Sequence, residues 1–92
     1  MNKLLLALLL LSSVSGAWAV EANTANRAQL EQVRHIGPPM AEAILAARDK
    51  HGAFKDWADL MTRVRGIRDA KANKLSEAGL TVGGAPYAAP PK

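Results

Sequence analysis

Hydrophobic and polar positions are arranged in three different ways along this chain. After Lys3 an unbroken apolar run extends from Leu4 to Leu11, followed by the small and polar stretch Ser12-Ser13-Val14-Ser15-Gly16 and then Ala17-Trp18-Ala19. A basic start, a short apolar middle and an Ala-x-Ala end predict a signal peptide, residues 1–19, cleaved after Ala19. The run is far short of the roughly 20 apolar residues that a membrane-spanning helix needs. No cysteine follows that could carry a lipid, so the chain from Val20 onward is expected to be exported and not inserted in a membrane.

From Asn26 the pattern becomes helical. Asn26-Arg27-Ala28-Gln29 has the spacing of a capping box, in which Asn26 accepts from the third backbone N–H and Gln29 reaches back. A helix is predicted from Arg27 to Val33, with a turn from Arg34 to Gly37. Pro38 then stands at a first helical position, where its missing N–H is not needed. The apolar residues Met40, Ala41, Ile44, Leu45 and Ala47 keep a helical period from Pro39 to Lys50, leaving Glu42, Arg48 and Asp49 outward, and Gly52 closes the helix. Asp56 caps a third helix from Trp57 to Val64, with Asp59 in its first turn. After a turn from Arg65 to Arg68, a fourth helix runs from Asp69 to near Gly79.

Leu80-Thr81-Val82 is expected to lie back across the core in extended form. The third pattern follows: residues 83–92, rich in Gly, Ala and Pro, have too little to bury and are expected to be a disordered tail. The expected core is Leu30, Val33, Ile36, Ala41, Ile44, Leu45, Phe54, Trp57, Leu60, Val64, Ile67, Ala72 and Leu75. The reading is thus all-α: one small compact domain, residues 20–82, of four to five short helices.

The two helix pairs are copies. At an offset of 31 residues, Leu30, Val33, Arg34, Ile36, Ala41 and Ile44 are echoed by Met61, Val64, Arg65, Ile67, Ala72 and Leu75. Each copy reads as helix, tight turn, helix, with Gly37 in the first turn and Gly66 in the second. A tight turn feeding a helix start aims several backbone N–H groups one way, and the helix dipole adds partial positive charge there. Such a start can grip a phosphate without reading bases. Glycine permits positive φ and lets a phosphate approach closely.

Composition adds two constraints. A small exported domain without cysteine must hold itself together by packing alone. The formal charge of +4 falls by one when Lys3 leaves with the leader, so the surface is only weakly basic. Basic side chains nevertheless flank both turns, Arg34 at the first and Arg63, Arg65, Arg68 and Lys71 at the second. The candidate phosphate-binding residues are therefore Arg34, His35, Ile36, Gly37 and Met40 in the first copy, and Arg65, Gly66, Ile67, Arg68 and Lys71 in the second. His35 and His51 are too few and too scattered for a metal site, and no cofactor is implied. After the leader Ser76 is the only serine, and neither histidine has an obvious nucleophile partner, so no enzyme and no small-molecule substrate are expected.

The stretch from Val20 to Val82 resembles the paired helix-hairpin-helix domain of the ComEA-type competence proteins. The resemblance is carried by Asn23-Thr24-Ala25, Leu30-x-x-Val33, Ile36-Gly37, Ala41-x-x-Ile44, Arg48-x-x-x-Gly52-x-Phe54, Asp59-Leu60 and Val64-x-Gly66-Ile67. It implies a helical domain that binds double-stranded DNA without sequence preference, in DNA uptake for natural transformation. The uptake machinery is a further partner under this reading, and the lack of an anchor and linker resembles the soluble periplasmic form.

The turns depart from the family pattern of Gly-hydrophobic-Gly. The first has His35 in the leading place and the second has Arg68 in the trailing place, so each copy has lost a different glycine. Pro38 and Pro39 delete two N–H donors, leaving Ile36, Gly37 and Met40. In the second copy Ile67, Arg68 and Ala70 remain as donors, with Asp69 close to where a phosphate would lie. These departures keep an alternative open, a structural or protein-interaction module that retains the fold without DNA binding.

Overall fold

Asn26 and Asp56 begin the two halves of the molecule in the same way. In the computed structural model, which describes residues 19–88, the Asn26 side chain accepts the Gln29 N–H at 2.8 Å while Gln29 accepts the Asn26 N–H at 2.9 Å. This is the predicted capping box, and it starts α1 (Arg27–Gln32). Asp56 accepts the Asp59 N–H at 2.8 Å and starts α3 (Trp57–Arg63). The Asp59 carboxylate in turn accepts the Lys55 N–H at 2.9 Å, which with the Arg63 guanidinium holds its pKa below the ordinary carboxylate value. The long helices α2 (Pro38–His51) and α4 (Asp69–Glu77) follow the two turns. None of these helices is long and apolar enough to cross a membrane.

The structure shifts the repeat by one residue in its first helix. Leu30 and Leu60 are both fully buried, whereas Met61 is only partly so. The capping N–H of Val33 reaches back three residues to Leu30, and that of Val64 reaches back four to Leu60. The extra residue of α3 lies there, and the 31-residue offset holds from the turns onward.

The core follows the helical period. Leu30, Val33, Ile36, Ala41 and Ile44 from the first half meet Phe54, Trp57, Leu60, Val64, Ile67, Ala72 and Leu75 from the second. Leu45 is a correction: it is partly buried at the edge of this cluster. Ala22, Ala25, Leu80 and Val82 join it from the chain ends. They do so because β1 (Val20–Glu21) pairs in parallel with β2 (Leu80–Thr81), Val20 opposite Leu80. The extended return of Leu80 was expected, its strand partner was not.

Glu21 ties this junction. Its carboxylate accepts the Thr81 hydroxyl at 2.8 Å and the N–H groups of Gly83 and Gly84 at 2.8 and 2.7 Å. Burial alone would raise its pKa, but these bonds and one from the Asn23 N–H outweigh it and hold the carboxyl below its ordinary value.

The tail differs from expectation as far as Ala88. Val82 and Ala85 exchange two backbone hydrogen bonds, and the Trp57 indole donates to the Ala85 carbonyl at 2.9 Å. Tyr87 packs edge-on against Trp57, with ring centroids 5.5 Å apart. The composition suggested too little to bury, yet one tyrosine and one carbonyl suffice because Trp57 presents both an apolar face and a donor. The expected leader up to Trp18 and the end of the tail, Ala89 to Lys92, lie outside the described residues.

Candidate nucleic-acid interface

The two turns have exchanged glycines and kept one backbone path. His35 has φ 77° and Gly66 has φ 97°, so both stand in the left-handed region at the same place in the turn. Next come Ile36 and Ile67, buried at 4% and 1% exposure, and then the extended helix caps Gly37 (φ −92°) and Arg68 (φ −121°). Each buried isoleucine pins its hairpin to the core. Positive φ therefore calls for glycine at Gly66 and not at Gly37. Left-handed backbone is uncommon for residues other than Gly, although Asn, Asp and His adopt it more readily than most, and His35 adopts it in the first copy.

Two of the candidate donors are not available. The Ile36 N–H donates to the Val33 carbonyl at 3.0 Å and the Ile67 N–H donates to Val64 at 3.4 Å, each bond closing its own turn. Ile36 and Ile67 thus shape the site and do not offer amides to a ligand, a correction to the sequence expectation. With Pro38 and Pro39 at the first two positions of α2, the first hairpin presents the N–H groups of Gly37 and Met40. The second presents four in succession, those of Arg68, Asp69, Ala70 and Lys71, none with a hydrogen-bond acceptor among the described residues. Helix-start arithmetic predicts these orphans; the turn-closing bonds that the isoleucine N–H groups donate depend on the folded turn.

The basic side chains divide into two sets. Arg34, Arg65 and Arg68 are exposed and Lys71 is half-buried, and none of the four is in an ion pair among the described residues. Three of them stand beside the second hairpin. Arg63, grouped with them by sequence, instead points inward. Its guanidinium donates to the carbonyls of Ala47 at 2.7 Å, Gly52 at 2.8 Å and Ala53 at 3.3 Å, pairs with Asp59 at 3.2 Å, and lies 4.4 Å over the Phe54 ring. It gathers carbonyls at and just beyond the end of α2. Arg48, expected outward, donates to the Ala22 and Ala25 carbonyls at 2.8 and 2.9 Å. Asn23 spans the halves as well, its amide donating to the Phe54 carbonyl at 3.0 Å and accepting the Phe54 N–H at 2.6 Å.

Asp69 stands at the start of α4 beside the four free amides. Its carboxylate accepts the Tyr87 hydroxyl at 2.7 Å, and this bond to an anion raises the tyrosine's pKa. Tyr87 belongs to the segment from which sequence reasoning expected nothing.

Buried isoleucines in matched turns, paired capped helices and an ordered linker define a tandem helix-hairpin-helix domain, and the chain belongs to the helix-hairpin-helix motif family, which matches residues 11–78. Within that family it is ComEA-like: it is 38% identical over 56 residues to ComE operon protein 1 of Bacillus subtilis (strain 168), covering 61% of this chain and 27% of that protein. It is also 45% identical over 53 residues to an error-prone DNA polymerase of Nocardia farcinica (strain IFM 10152), covering 58% of this chain and 4% of the polymerase. The chain thus spans about a quarter of the length of the first relative and a small part of the second. No solved structure matches it.

Proposed function

We propose that this protein is an exported, periplasmic DNA-binding module that holds double-stranded DNA without sequence preference and serves DNA uptake in natural transformation. The observation that carries this reading is the run of four unpartnered N–H groups from Arg68 to Lys71, flanked by the unpaired side chains of Arg65, Arg68 and Lys71. Amides and dipole bind one phosphate, and the cations bind its neighbours. Backbone contacts carry no base information. The likeness to a ComE operon protein and to a DNA polymerase supports the same ligand. As a binding module with ComEA-like kinship it carries out no chemical step of its own in this proposal.

The second hairpin contributes more than the first, which has two free amides and one flanking arginine. A mobility-shift titration on unrelated duplexes at two salt concentrations tests this. With four cationic side chains on phosphates, a fourfold rise in salt weakens binding on the order of a hundred-fold, and affinity is equal across duplexes. Arg68→Glu should weaken binding more than Arg34→Glu. Absence of any shift at low salt and micromolar protein overturns the reading. The donors lost to Pro38 and Pro39 favour a second reading, a protein-interaction module, which predicts a partner that survives nuclease and high salt.

A further inference from the structure

The second hairpin poses an electrostatic problem that the first does not. Asp69 occupies the first position of α4, and the residue at the same place in the first copy is Pro38. A carboxylate there is drawn to the free amides and dipole of its own helix, where it competes with any phosphate. In the structure it accepts no N–H of α4; it accepts the Tyr87 hydroxyl at 2.7 Å. Tyr87 is fixed from two further sides, by its N–H, which donates to the Ser76 hydroxyl at 2.9 Å, and by its ring, which packs against Trp57. Trp57 in turn holds the segment through the Ala85 carbonyl.

We infer that Tyr87 is a positioning residue of the second hairpin: it holds the Asp69 carboxylate on the C-terminal strap and so keeps the Arg68 to Lys71 amides open to a phosphate. The strap from Gly83 to Ala88 is then part of the nucleic-acid site although it touches no ligand itself. This rests on the phosphate reading of that hairpin, and deepens it by naming what governs its affinity.

The test is a double-mutant cycle on the full chain, read by duplex DNA affinity at low salt. Tyr87→Phe keeps the ring on Trp57 and removes only the hydroxyl; Asp69→Asn removes the competing charge. Tyr87→Phe should weaken binding roughly two- to five-fold, and Asp69→Asn should strengthen it by a similar factor. With Asp69→Asn already in place, Tyr87→Phe should have no effect. A purely structural role for Tyr87 predicts the same loss in both backgrounds, and that result overturns the inference, as does a Tyr87→Phe variant that binds like the parent. Failure of the parent protein to bind any duplex overturns the phosphate reading itself and this inference with it. Titration with inorganic phosphate gives a second readout: the amide resonances of Arg68 to Lys71 should shift in the parent and respond less in Tyr87→Phe.

Discussion

The first hairpin and the second follow the same backbone with different residues at the two positions where the family places glycine. In the first, His35 takes the left-handed position and Gly37 the extended one; in the second, Gly66 takes the left-handed position and Arg68 the extended one. The two glycines therefore do different work. Gly66 relieves backbone strain, while Gly37 sits where any residue is allowed, and a Cβ there would meet only Pro39 Cδ at 3.7 Å. What Gly37 does provide is an open approach to two amides. The lesson is that turn geometry in this fold is set by the buried isoleucine and the helix that follows, with glycine as one means among several.

The largest expected effect concerns the brace between the halves. Arg63→Met keeps much of the apolar stem but removes the guanidinium's bonds to the Ala47 and Gly52 carbonyls and its pair with Asp59, and should cost about 2–3 kcal/mol, measured by urea unfolding. The same change at Arg65, exposed and unpaired, should move stability by less than about 0.5 kcal/mol. Equal losses at the two sites would show that Arg63 is ordinary surface charge.

Next come the turns themselves. Gly66→Val forces a β-branched residue to φ 97° and should destabilise by roughly 1–3 kcal/mol. His35→Gly should do the reverse, stabilising by about 1 kcal/mol through relief at φ 77°. If both changes destabilise, His35 makes a favourable contact that the strain argument omits.

A smaller effect separates stability from binding. Gly37→Ser supplies a cap hydroxyl for the Met40 N–H, so stability should rise by a few tenths of a kcal/mol while DNA affinity falls. A parallel gain in both would mean that the Met40 amide is no part of the interface.

The last prediction concerns pH. Because the Glu21 carboxyl is held below its ordinary value in the folded protein, it contributes stability above the unfolded-state pKa of about 4.3, and that contribution is lost as pH falls through the folded value. Acid should therefore release the strap and with it the second hairpin before the first. The Trp57 indole N–H resonance, bonded to Ala85, reports this directly. In Glu21→Gln the indole signal should already be perturbed at neutral pH and change little on acidification; an unchanged acid response would assign the transition to other carboxylates.

Sequence alone determined the four helices to within a residue or two, because caps such as Asn26 with Gln29 and the helical period of Leu30, Ile44 and Leu75 are local effects acting within about four residues. It also placed Arg34, Arg65, Arg68 and Lys71 beside the turns and put His35 where the leading glycine of the first turn would stand. Tertiary structure decided the rest. Arg63 and Arg48 turned inward because the carbonyls they bond are 10–26 residues away and come within their reach only in the folded chain. The Ile36 and Ile67 amides were withdrawn by turns that only packed side chains hold closed. Val20 and Glu21 found Leu80 and Thr81, and Tyr87 found Asp69, because the folded core brings the two ends of the domain together. Pro38 and Pro39 in the first hairpin and Asp69 in the second made the two unequal in the sequence itself; the tertiary structure decided where the Asp69 carboxylate is held, because the tail brings the Tyr87 hydroxyl to it.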